Sequence, residues 1–515
     1  MVEDDEYELR SESPNDDITE HIIPADLSRS QAWNLMIIIY FAMIVFSSSI
    51  GRWVDRSPNR LRTLLSTIVC NRGSVLVGSV FWLLILSQED LVGADGVFSV
   101  PSNGVIKGVG FALAVSCGIV ERLSASGNLI SMERDWVVAV AAPSGSGRPY
   151  DLTHLNAVMR RIDLVCKLFA PIVISVIISA RDSVRVGVLF TGLTSLVSLP
   201  IETISARRVW KSSLSLQAPK PVPPEPQHTT TPQMQQRSGS FVTGVRQYFK
   251  GFEMYFGTSV WIPSVALALL HFNMLTWRAT FITSLINVGY SLNAITIART
   301  VGSVFEISST LVTPYGIVYL GKAQQRQHGS PLAEEEEEEE EEDEAGVGLI
   351  GGNKDDDDDD ENLDAQTIVG LTRFGLWGFT WQLINMIPVV LAVWAIYPHP
   401  DSDSESSSPA APPPPPSRAW SLALFAFLAF SRFGVWIFDL TTQQLTQTLV
   451  PAHERSTFAG VENSVVSVFE LLGAGAAVAL PRTAQFAYLA LASFAAVAGA
   501  WAIYLDLVNE LGKSR

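Results

Sequence analysis

The chain has 515 residues, 48% of them hydrophobic and only 17% charged, and its apolar residues gather in runs of about 20, the length that crosses a hydrocarbon core of roughly 30 Å. The formal net charge of −17 sits largely in two acidic blocks, 334–344 and 355–364, and in the first 20 residues, so the apolar part is close to neutral. Basic patches interleaved with aromatics are absent, which excludes nucleic acid as a partner. Three widely spaced cysteines, Cys70, Cys117 and Cys166, exclude a disulfide framework and a structural zinc site. No Gly-rich phosphate loop, hydrolase histidine pair or Ser/His/Asp grouping suggests an enzyme.

In chain order, an acidic polar tail at 1–31 lacks the pattern of a secretory signal. Apolar segments follow at 32–50, 64–86, 105–130, 164–180 and 184–204. A Pro/Gln-rich cytosolic linker is expected at 207–256. Six more segments lie at 260–286, 292–312, 368–395, 420–444, 458–480 and 486–505. They are interrupted by an acidic loop, 321–366, and a Pro/Ser-rich loop, 398–417, both expected to be disordered. A short tail, 507–515, ends the chain. Helices satisfy their own backbone in lipid, so the pattern predicts an all-α integral membrane protein of 11 spans. Five lie in an N-terminal half, 32–206, and six in a C-terminal half, 257–506. Connections 51–62 and 207–250 are rich in Lys and Arg, which places the loops after segments 1, 3, 5, 7 and 9 in the cytosol.

Several stretches carry a family signature. Gly51-Arg52-Trp53-Val54-Asp55-Arg56, followed by Arg60-Leu61-Arg62, looks like the loop after the second helix of major facilitator transporters. Glu133-Arg134-Asp135-Trp136-Val137-Val138 and Leu155-Asn156-Ala157-Val158-Met159-Arg160-Arg161-Ile162-Asp163 add to it. So do Ser431-Arg432-Phe433-Gly434-Val435-Trp436-Ile437-Phe438-Asp439-Leu440-Thr441, Glu454-Arg455 and Gly460-Val461-Glu462-Asn463-Ser464. Together they resemble the ferroportin family of iron exporters, solute carrier family 40, with its first transmembrane helix missing. The resemblance implies a major facilitator-type bundle of two helical halves. It also implies a monomeric multi-pass protein of the plasma membrane or a vacuolar or other endomembrane. Such a protein exports Fe²⁺ by alternating access, with the divalent metal as substrate, the bilayer as partner and no permanently bound cofactor.

The resemblance further implies a cytosolic gate at Asp55, Arg60, Asp135, Asn156 and Arg455. In the family's N-half metal site, the helix 1 ligands have no counterpart here. Asn71 and Glu202 keep the family's residue types, while Cys70 and Ser195 depart from them. The C-half site of vertebrate members uses a cysteine and a histidine that align with Ala279 and Gly473. Neither binds metal, and peptide-hormone control is not expected. His271 and Glu470 are the nearby candidates, since imidazole and carboxylate suit Fe²⁺. On an ideal helix, however, His271 points about 80° away from Ala279. Asp439 and Gln443 lie one turn apart, with Arg432 on roughly the same face, and are expected to line the cavity with Asn71, Ser195, Glu202, His271 and Glu470. Two other readings stand beside export: a facilitator of a different substrate, and a non-transporting or incomplete fragment.

Overall fold

The computed structural model describes residues 29–94, 103–141, 151–181, 183–220, 241–328, 356–397 and 417–513. Every regular element among them is helical. The N-terminal half holds α1 (Arg29–Arg56), α2 (Arg60–Ala94), α3 (Asn103–Ile130), α4 (Leu152–Arg181) and α5 (Val184–Ser212). The C-terminal half holds α6 (Phe241–Gly257), α7 (Trp261–Leu269), α8 (Ala279–Asn287), α9 (Leu292–His328), α10 (Asp356–Ile396), α11 (Arg418–Leu449), α12 (Arg455–Ala479) and α13 (Phe486–Lys513). Among the described residues ten helices are long and apolar enough to cross a membrane. An eleventh candidate is the pair α6 and α7, which meet at a 105° bend. Phe41, Ile162, Phe169, Leu189, Ile201 and Tyr315 are exposed on these helices, as side chains are where lipid, not water, is the solvent.

Within the N-terminal half α2 packs against α3 and α5; within the other, α10 packs against α11 and α13, and α9 against both α10 and α11. Phe281, Phe379, Phe438, Phe486 and Tyr504 centre the C-half core. The N-half has a smaller cluster around Leu64, Ile68 and Trp136. The halves meet where α1 lies on α12 and α4 on α9.

Two sequence expectations change. The run 260–286 is not one helix. After α7 a 3₁₀ turn (Leu270–Phe272) gives way to an irregular stretch, and α8 begins only at Ala279. Side chains answer the backbone groups this break frees: Asn273 Oδ1 accepts from Leu275 N at 2.9 Å, and Ser493 Oγ from Met274 N at 2.9 Å. Such replacement partners let a helix break at membrane depth. α8 then stops at Gly289, whose φ of +102° is the left-handed conformation that ends helices and favours glycine.

The second change concerns the loops. α9 runs to His328 and α10 starts at Asp356, so both described ends of the expected loop 321–366 are helical. The expected linker 207–256 is likewise helical at 207–212, in a single turn at Leu214–Gln217, and through α6. Residues 1–28, 221–240, 329–355 and 398–416 lie outside the described residues, and the expectations of disorder there go with them.

Candidate functional site: a polar lock and two arginine-paired carboxylates

At one end of the bundle α1 and α12 approach on small residues. Ser47 and Gly51 of α1 meet Ser456 and Gly460 of α12, and both serines are buried. A Cβ on Gly460 would stand 2.6 Å from the Ser47 carbonyl oxygen, and one on Gly51 would run into the Ser456 carbonyl. Small residues of this kind let membrane helices touch backbone to backbone. The contact delivers Asp55, at the end of α1, to the start of α12. Its carboxylate accepts from Ser456 N at 3.1 Å and from both the amide and the hydroxyl of Thr457 at 2.6 Å. A carboxylate from one half thus caps the free N–H groups and positive dipole end of a helix in the other.

Around this cap runs a buried polar network. α3 continues through a π-helical turn, Ser131–Trp136, which aims Arg134 across the seam. Arg134 donates to Glu462 at 2.9 Å, to the Gln443 carbonyl at 3.0 Å and to the Thr446 hydroxyl. The other Glu462 oxygen accepts from Ser264, which accepts from Tyr255. Arg160 on α4 reaches Asp439 at 2.8 Å and Gln443 at 3.0 Å on α11, and lies over the Trp436 ring. Asn156 and Gln447 exchange hydrogen bonds at 2.6 and 3.1 Å, and Gln444 donates to Thr153 at 2.7 Å. On the N-half side Arg60 donates to Asp135 at 2.7 Å and to the Ala218 carbonyl at 2.6 Å. Lys220 also meets Asp135, at 2.6 Å. Arg455 donates to the Val450 carbonyl at 2.8 Å. It lines a cavity of about 170 Å³ with Asp55, Arg60, Arg134, Asp135 and Lys220. Asp55, Arg60, Asp135, Asn156 and Arg455 therefore come together at one end of the molecule.

The N-half residues expected to line a cavity do not form one cluster. Glu202 is held by Arg72 of α2, with Arg72 Nε 3.0 Å from Oε1. Asn71 donates to the Glu121 carbonyl at 3.1 Å and to its carboxylate at 3.4 Å. Ser195 is buried on α5, two turns before Glu202. In the C-half, His271 Nδ1 is 3.4 Å from Glu470 Oε1, and Arg278 Nη2 is 2.9 Å from the same oxygen. Gly473 packs against the irregular stretch, where a Cβ would stand 3.2 Å from Met274 Sδ and 3.3 Å from the Phe272 carbonyl. No three of His, Cys, Asp and Glu among the described residues gather as a metal site.

The profile of the Ferroportin1 (FPN1) family matches residues 37–321 and 365–497. The chain belongs to the ferroportin family. It is 26% identical to solute carrier family 40 member 1 of Oryza sativa subsp. japonica over 490 residues, 92% of this chain and 82% of that protein. It also shares a fold with a crystal structure of a bacterial homologue of the iron transporter ferroportin in the outward-facing state. The TM-score there is 0.63 at 20% identity, covering 96% of this chain and 93% of that one. The proton:xylose symporter XylE, a major facilitator superfamily protein, gives a TM-score of 0.55 at 11% identity, covering 96% and 89%. The chain is thus a multi-pass membrane protein with the major facilitator fold.

Within this ferroportin-family fold, the sequence motifs led to Asp55, Arg60, Asp135, Asn156 and Arg455 but not to the residues that bridge the halves most heavily. Arg134, Arg160 and Glu462 stand inside or beside the motifs that marked the family. Opposite charges buried in a membrane bundle were the available signal. Arg432 was expected on a face with Asp439, yet it pairs with Glu306 at 2.7 Å while Asp439 turns to Arg160. Arg72, Glu121 and Arg278, which engage Glu202, Asn71 and Glu470, were also missed as partners.

Proposed function

We propose that this chain moves Fe²⁺ or a related divalent ion out of the cytosol by alternating access, and that the arrangement described is the state closed to the cytosol. The polar lock carries the reading. Every bond between the halves named above lies at the end whose connections 51–62 and 207–250 are basic, the end that stays cytosolic. Hydrogen-bonded pairs that form on one face and must part for the other are what two rocking halves need. Membership of the ferroportin family, ferroportin itself being an iron transporter, supports iron as the cargo. Asp55, Arg60, Asp135, Asn156 and Arg455 act as the gate, with Asp439 joining it through Arg160. Asn71, Ser195 and Glu202 in one half, and His271 and Glu470 in the other, face the path.

One observation favours a second reading, a facilitator of another substrate. Ala279 and Gly473 offer no ligand, and Arg72 and Arg278 already neutralise the two cavity carboxylates. Uptake of Fe²⁺, Co²⁺ and Ca²⁺ into liposomes holding the purified chain, followed with an entrapped fluorophore, separates the two. Export predicts Fe²⁺ and Co²⁺ flux that Glu202→Ala or His271→Ala reduces at least tenfold. Absence of flux for all three ions removes the metal reading.

A further inference from the structure

Glu470 is a buried carboxylate, its side chain 9% exposed, and it lies one turn before Gly473 on α12. Two donors meet at its Oε1: Arg278 Nη2 at 2.9 Å and His271 Nδ1 at 3.4 Å. They arrive from opposite sides of the break between α7 and α8. In a continuous helix, residues seven apart share a face but stand about 10.5 Å apart along the axis. Only the broken chain lets both side chains reach one oxygen. The Arg278 backbone is extended and fixed, because its carbonyl accepts from Phe281 N and Ile282 N at 3.1 Å and so starts α8. The side chain itself is 37% exposed, so the guanidinium hangs from the start of α8 on a free stem.

A carboxylate buried this deeply needs a counter-charge. Guanidinium stays protonated at any physiological pH, so Arg278 leaves Glu470 only by moving. We propose that Arg278 is a built-in cation. It occupies the C-half carboxylate when the cavity is empty, competes there with a divalent ion, and swings aside to leave His271 and Glu470 as ligands. This rests on reading the cavity as the metal path. It makes Arg278 a determinant of affinity and selectivity. Imidazole with carboxylate favours Fe²⁺ and Co²⁺ over Ca²⁺, which prefers oxygen ligands alone.

The test is equilibrium binding of Co²⁺ and Ca²⁺ to the full chain in lipid nanodiscs, read by calorimetry and by the visible spectrum of bound Co²⁺. Arg278→Gln is expected to bind Co²⁺ at least tenfold more tightly than the unaltered chain, with Ca²⁺ affinity changed less than threefold. Arg278→Lys, which keeps the charge, is expected within threefold of the unaltered chain. Adding His271→Ala to Arg278→Gln is expected to erase the gain. Unchanged Co²⁺ affinity in Arg278→Gln overturns the proposal, as does a gain that survives His271→Ala. Should Arg278→Gln not yield monodisperse protein, Arg278→Met, neutral and of similar length, is judged by the same two outcomes. Binding is read without flux, so a gain in a chain that carries no metal in liposomes refutes the transport reading alone. Flux without the gain refutes this proposal alone.

Discussion

Arg134 and Glu462 form the most enclosed ion pair between the halves, with side chains 8% and 9% exposed. Removing one partner of such a pair strands a buried charge, at about 3–5 kcal/mol. Arg134→Ala is therefore expected to lower the closed-to-open ratio at this end by roughly two to three orders of magnitude, at about 1.4 kcal/mol per factor of ten. Electron–electron distance measurements between spin labels on the α3–α4 and α11–α12 connections would show a second, longer distance becoming dominant. An unchanged distribution would mean that the pair does not hold the halves. At this scale the sequence was half legible. The resemblance to the ferroportin family marked Asp55 and Asp135 as gate positions. Which of Glu133, Arg134 and Asp135 crosses the seam depends on the π turn of α3, and composition does not encode that register.

At the scale of elements, the α1–α12 crossing and the α7–α8 break do the positioning. Gly51→Val or Gly460→Val would push side-chain atoms into the facing backbone. Overpacking of this sort costs about 1–3 kcal/mol and is expected to part the helices in the same distance measurement. An unaltered separation would show that the glycines are not the contact. Asn273→Ala removes the partner of Leu275 N in the irregular stretch. A buried backbone donor left unmet costs about 1–3 kcal/mol, so the purified protein should unfold at a lower temperature, and equal stability would show that another group takes over. The ten long helices were legible as apolar runs, since length and hydropathy decide what spans a bilayer. The break was not, because 260–286 stays apolar overall. Its trace is the clustering of His271, Asn273 and Arg278 in mid-run, the pattern of an interrupted helix at a binding site. α6 was folded into a presumed linker because aromatic residues alternate there with Arg246, Lys250 and Glu253.

The whole molecule joins two helical halves at one end by hydrogen-bonded and ion-paired side chains, while one carboxylate in each half, Glu202 and Glu470, is paired with an arginine. Family and fold were legible because the motifs of the seam are long and ordered. The partners of the candidate cavity residues were not, because pairs such as Arg278 with Glu470 depend on how the broken helix folds back. The most direct test of the account joins lock and flux in one experiment. Cysteines replace Asn156 and Gln447, whose side chains hydrogen-bond across the seam, in a chain whose Cys70, Cys117 and Cys166 are serine. A short thiol-exchange crosslinker, removable by reductant, then ties the two halves together in liposomes. The account predicts Co²⁺ flux before crosslinking, its loss as the link forms, and its return on reduction. Flux that persists in the fully crosslinked protein would contradict it.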